Sequence, residues 1–165
     1  MNSGSNGQSH AFPNRDEILK IAMAADHAGF TLKEQLKKKI IEAGHTVADV
    51  GSHTADPSDY PDFGYLAACM IAEERADRGI FCCGTGAGMA ITANRLPGIR
   101  AVVCFTVEIT RLARAHNDAN VLCLPARFVD SEMAWEITQV FLTEPFEGGR
   151  HLRRIKKIDK DTSCK

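Results

Sequence analysis

Arg78-Gly79-Ile80-Phe81-Cys82-Cys83 runs straight into Gly84-Thr85-Gly86-Ala87-Gly88, and Met89-Ala90-Ile91 follows. The first part reads as a buried strand, the glycines as a tight turn, and the last part as the start of a helix. Strands that turn directly into helices build parallel sheets covered on both faces. The order also sets free backbone N–H groups beside a thiol. Such groups can hold an anion and stabilise charge next to a base or nucleophile. Cys82 and Cys83 point to opposite faces if the strand runs through both. Cys83, nearer the loop, is the candidate for chemistry, and Cys82 is assigned to the core.

The same alternation extends outward in both directions. Upstream, residues 18–25 read as a first strand. Thr31 and Glu34 form a capping-box signature. Leu32, Leu36 and Ile40 then recur at helical spacing, with Lys33, Lys37, Lys38 and Lys39 assigned to the other faces, and Gly44 ends the helix. Residues 46–50 are a second strand. Pro61 suits a first helical turn, and Leu66, Met70 and Ile71 mark that helix's buried side. Downstream come a short helix ending near Asn94, a strand at 99–104, a helix at 108–116, a strand at 121–124 and a helix at 131–142. Pro145 and Gly148-Gly149 precede a basic terminal helix. The pattern predicts an α/β three-layer sandwich: a Rossmann-like five-stranded parallel sheet with helices on both faces. Ligands gather at the carboxyl ends of such strands, which brings Asp26-His27, Tyr60, residues 83–88 and the loop after Cys104 together.

Residues 18–165 are read as one domain, and 1–17, rich in Ser, Gly and Asn, as a disordered extension. The formal net charge of -1 gives no general attraction to nucleic acid or membrane, so any basic site must be local. No stretch is long and apolar enough to span a bilayer. None of the six cysteines forms a CxxC pair, which argues against a zinc site or disulfide framework and for a reducing, cytoplasmic setting.

The glycine loop has competing readings. Met89 breaks the GxGxxG register, no acidic ribose ligand ends the next strand, and no Gly-Lys-Ser/Thr follows. A tight turn with a buried cysteine and an anion hole both remain. Arg150 and Arg154, four apart, share a helix face and suit either a phosphate dianion or a solvated basic surface. His27 follows a strand end, where a functional role is plausible. His116 ends a helix, where the helix dipole by itself favours a cation. His10, His45 and His53 read as surface residues, and His151 as peripheral to a site or exposed. Asp56, Asp59 and Asp62 read as a solvated, helix-capping loop rather than a metal site.

Several motifs recur in one order: Asp26-His27-Ala28-Gly29, Asp59-Tyr60-Pro61-Asp62, Cys83 to Met89, and Asn94-Arg95. Pro97 to Ala101, His116 to Asn120, and Phe146 to His151 complete the set. Together they resemble the ribose-5-phosphate isomerase B family, with its galactose-6-phosphate and allose-6-phosphate isomerase relatives, across residues 20–158. The resemblance implies reversible isomerisation of ribose 5-phosphate and ribulose 5-phosphate through a cis-enediolate, without metal or nucleotide cofactor. It makes Cys83 the base. Some members use a glutamate elsewhere in the loop, but Ala87 and Met89 offer no carboxylate. Thr85 matches a hydroxyl that assists proton transfer, and Gly84, Gly86 and Gly88 match the enediolate loop. Asp26 matches a ligand of the sugar hydroxyls, and Tyr60 a residue lining the site. His116 matches the histidine associated with opening the furanose ring, and Asn117 a nearby substrate contact. His27, Arg150 and Arg154 match phosphate ligands, and Arg127 fits a further one. The resemblance also implies a homodimer or homotetramer with the active site at the dimer interface, crossed by His116, Asn117 and Arg127. A hexose-6-phosphate isomerase and a non-catalytic phosphosugar-binding module are the alternatives.

Overall fold

The computed structural model describes residues 18–159; the extension expected over 1–17 lies outside them. The chain alternates β1 (Lys20–Ala25), α1 (Phe30–Glu42), β2 (Thr46–Gly51), α2 (Tyr60–Ala72), β3 (Arg78–Cys83) and α3 (Ala87–Ala93). It continues through β4 (Ala101–Val103), α4 (Val107–Asn117), β5 (Val121–Pro125), α5 (Ser131–Thr143) and α6 (Gly149–Ile155). The five strands lie in the order β2-β1-β3-β5-β4, all parallel. The chain winds out in one direction and then back in the other, so helices cover both faces. On one face Leu36 and Ile40 of α1, Ala113 of α4 and Phe141 of α5 pack with Cys82. On the other, Ala67 and Ala68 of α2 and Met89 of α3 pack with Cys83. The two adjacent thiols therefore face opposite layers, as strand geometry requires.

Several expectations are corrected. The capping box is not formed. Gly29 is the N-cap of α1 and no side chain caps it. A Cβ at Gly29 would lie 2.1 Å from the Cys82 carbonyl oxygen, so glycine lets α1 start hard against β3. Glu34 instead contacts Lys33 at 2.5 Å and Lys37 at 2.9 Å. Lys33 is not on an exposed face. It is fully buried, with Nζ 2.6 Å from Asp49 of β2, so α1 is fastened to the sheet by charge as well as by leucines. Leu66 is 56% exposed, because α2 packs through the small residues Gly64, Ala67 and Ala68 with Ile71. β4 is shorter than the 99–104 run: Ile99 N–H closes a turn onto Leu96, and the Arg100 N–H donates to the Asn120 side chain at 2.8 Å. No helix among the described residues is long and apolar enough to cross a membrane.

Candidate active site

The carboxyl ends of β1, β3 and β5 and the start of α2 converge on one small cavity. Its lining includes Asp26, His27, Tyr60, Cys83, Thr85 and Arg127, and its volume is about 180 Å³. Asp26 is buried and accepts the Gly29 N–H at 2.9 Å, which fixes its carboxylate at the mouth of α1. The His27 ring places Nδ1 3.2 Å from both the backbone N and O of Ser58, and the His27 N–H donates to Ser58 Oγ at 3.1 Å.

Gly86 is the hinge of the loop: its φ of +74° is left-handed, which a side chain would oppose. That conformation turns the Gly86 N–H onto Cys83 Sγ at 3.1 Å. Thr85 Oγ1 accepts the Ala87 N–H at 3.3 Å. β5 closes the wall: the Ala126 N–H donates to the Cys83 carbonyl at 2.9 Å and the Arg127 N–H to that of Gly84 at 3.2 Å. The Arg127 side chain lies over Gly84, where a Cβ would stand 3.2 Å from Nε. The Tyr60 ring covers Gly88 in the same way, 2.7 Å from a Cβ there. The loop after Cys104 does not line this cavity; its Phe105 lines a separate pocket with Thr85, Val103, Pro125 and Phe128. Full burial, and then the neighbouring thiol of Cys83, push the Cys82 pKa far up, as burial does for Cys123. Those thiols stay protonated and belong to the core.

His116, Asn117, Arg150 and Arg154 are elsewhere. Helix α4 runs back along the sheet, so its last turn lies at the amino edge, where Arg100 Nε donates to the Asn117 carbonyl at 3.0 Å. There the His116 ring stacks on His151, with centroids 4.2 Å apart and planes within 5°. Glu147 Oε2 is 3.8 Å from His116 Nε2 and 3.5 Å from His151 Nε2, and Arg150 Nε donates to His151 Nε2 at 3.3 Å. Within one chain the expected site is thus two clusters at opposite edges of the sheet. Arg127 lines its own chain's Cys83 cavity.

His116, Glu147 and His151 bring three ligand-type atoms within 4.8 Å of one another. Parallel rings aim their nitrogen lone pairs along parallel planes, and Arg150 occupies one of those nitrogens. The arrangement suits a hydrogen-bonded cluster better than a metal cage. A larger groove at the amino edge, of about 750 Å³, is lined partly by Arg78, Arg100 and Arg114. These guanidiniums donate to the carbonyls of Phe141, Asp118 and Ala119, and two of them reach the Asp118 carboxylate, so they brace the strand entries. Sequence reasoning gave no role to Ser58 or Glu147. Ser58 sits in a loop without periodicity, and Glu147 was legible only as part of a motif.

A doubly wound parallel sheet with a thiol, a carboxylate and a glycine loop at its carboxyl edge defines a Rossmann-like α/β protein with a small-molecule site. The chain belongs to the ribose/galactose isomerase family, whose model matches residues 21–158. It is 42% identical over 141 residues to ribose-5-phosphate isomerase B of Escherichia coli K12, covering 86% of this chain and 95% of the relative. A solved ribose 5-phosphate isomerase from Thermotoga maritima superposes with a TM-score of 0.84 at 49% identity, covering 86% of this chain and 97% of that one. The Mycoplasma genitalium ribose-5-phosphate isomerase B, solved with ribulose-5-phosphate bound, gives a TM-score of 0.81 at 40% identity, covering 84% and 93%.

Proposed function

We propose that this chain interconverts ribose 5-phosphate and ribulose 5-phosphate through a cis-enediolate, with Cys83 as the base. The observation that carries the reading is Cys83 Sγ at the wall of a small cavity, 3.1 Å from the Gly86 N–H, beside Asp26 and Arg127. In the open-chain aldose, Cys83 takes the C2 proton and returns it to C1. The charge leaves the sulfur as the enediolate forms, so the two negative centres never coexist. The N–H groups of the Gly84, Gly86 and Gly88 loop meet the developing oxyanion, and the Thr85 hydroxyl moves the proton between the substrate oxygens. Asp26 orients the sugar hydroxyls, with Tyr60 as a wall. His27 and Arg127 face the phosphate from this chain.

The remaining residues come from a second copy. A cavity of about 180 Å³ falls below the ~300 Å³ at which small-molecule sites usually begin, which supports a missing wall. His116, Asn117, Arg150 and Arg154, remote in their own chain, supply that wall from the partner of a homodimer, or of one dimer within a tetramer. A thiol base must stay reduced, which supports a cytoplasmic setting.

An isomerase assay across aldose and ketose 5- and 6-phosphates, run with a chelator present, tests the reading. Turnover of the pentose pair, undiminished by the chelator, is expected. Turnover confined to a hexose 6-phosphate would overturn the substrate, and binding without turnover would leave a phosphosugar-binding module.

A further inference from the structure

We infer that His151 is a positioning residue: its ring, stacked flat on His116, holds that imidazole in step with Arg150, so ring opening and phosphate capture address one sugar phosphate. The inference rests on the function proposed above.

His151 is 5% exposed, whereas Arg150, Leu152, Arg153 and Arg154 around it in α6 are exposed. A polar ring is buried at this point in a short basic helix, and three contacts account for it. It lies parallel to His116 at 4.2 Å. Its Nε2 accepts the Arg150 Nε–H at 3.3 Å. Glu147, which sits by both rings, is tied to α4 by its N–H on the Ala115 carbonyl at 3.0 Å. Burial, and then the charges of His116 and Arg150, hold the His151 pKa below the ordinary histidine value, which suits its role as an acceptor. A histidine on the last turn of a helix would otherwise sample several rotamers, and a flat neighbour removes that freedom.

Opening the furanose breaks the bond between C1 and the ring oxygen. The C1 hydroxyl loses a proton as it becomes a carbonyl, and the ring oxygen gains one. An imidazole can supply the second proton and recover the first, provided it keeps one orientation toward both oxygens. Ribulose 5-phosphate needs no such step, because its C5 oxygen carries the phosphate and cannot close a furanose on C2. In the ketose direction the open-chain aldose can leave and close in solution, so the kcat values of the two directions separate positioning of His116 from general damage.

The test measures both directions on full-length His151→Gln, which loses the ring, and His151→Phe, which keeps a flat ring without the acceptor. His151→Gln should lose about ten-fold or more in kcat for ribose 5-phosphate beyond its loss in kcat for ribulose 5-phosphate, because furanose that binds without opening occupies the site; the two kcat/KM values stay tied by the overall equilibrium constant. His151→Phe should keep the ratio of the two directions within about three-fold of wild type while its KM rises. Equal losses in both directions for His151→Gln, or no loss, would overturn the inference. Should the Gln variant fail to fold, a ten-fold fall in that ratio for His151→Phe would do the same. His116→Ala run alongside identifies which idea fails. A symmetric loss there removes the ring-opening role of His116 itself, and an asymmetric loss there beside a symmetric one in His151→Gln removes only the stacking role.

Discussion

Cys83 is set apart from Cys82 and Cys123 by one donor. Cys82 and Cys123 are buried among apolar side chains, while Cys83 meets the Gly86 N–H at the cavity wall. Replacing Cys83 by Ala should lower kcat by about 10²- to 10⁴-fold, the range of general acid–base catalysis, with KM changed only a few-fold. Steady-state kinetics with ribulose 5-phosphate decides this, and surviving turnover would assign the base elsewhere. The pairing of thiol and loop was legible in the sequence because strand alternation and a glycine turn are local. That Arg127 lies over Gly84 was not, since it depends on β5 settling beside β3. Residues forty-three positions apart then share a wall.

Helix α1 illustrates what periodicity can and cannot settle. Its leucine stripe was readable from spacing. The burial of Lys33 was not, because the deciding partner, Asp49, lies on β2. A lysine at a half-inward position goes where its counter-charge is. Lys33→Met should destabilise the protein by about 3 kcal/mol, by analogy with buried pairs that lose one partner, less whatever Lys37 retains of Asp49. Urea unfolding measures it. The network also sets an acid limit. Burial raises the Asp49 pKa, but hydrogen bonds from Lys33 and Lys37 outweigh this and leave it below the usual carboxylate value. The Lys33 hydrogen bond, against a burial penalty and with help from Lys37, does the same for Glu34. Both groups bind protons more readily when unfolded. Their stabilisation is therefore complete above roughly pH 4.3 and lost as pH falls through the lowered folded values. The urea midpoint should fall over that window, and less steeply in Lys33→Met.

At the scale of the molecule, the order of strands and helices carried most of the fold, while the division of the site into two edges did not show in the sequence. The motifs stand in one line along the chain, but helices that return antiparallel to the strands separate His116 from Cys83 by the height of the sheet. If a second copy joins the clusters, two inactive variants should complement each other. Mixing Cys83→Ala with His116→Ala, with time for subunits to exchange, should give up to about a quarter of wild-type activity toward ribose 5-phosphate. Half the dimers are then mixed, and each mixed dimer holds one undamaged site. No recovery after exchange shown by native mass spectrometry would mean that each site is built within one chain.

The contact at Gly29 has a consequence for how the site is gauged. The hydrogen bond from Gly29 fixes the Asp26 carboxylate, and its α-carbon rests on the backbone of Cys82, next to Cys83. The distance between the Asp26 carboxylate and the Cys83 thiol is thus set like a feeler gauge, by the thickness of one glycine. Gly29→Ala would force α1 off β3 by more than an ångström and open that gap. Turnover should fall much further than the affinity for inorganic phosphate, because His27 can follow its phosphate while a misplaced C–H finds no sulfur.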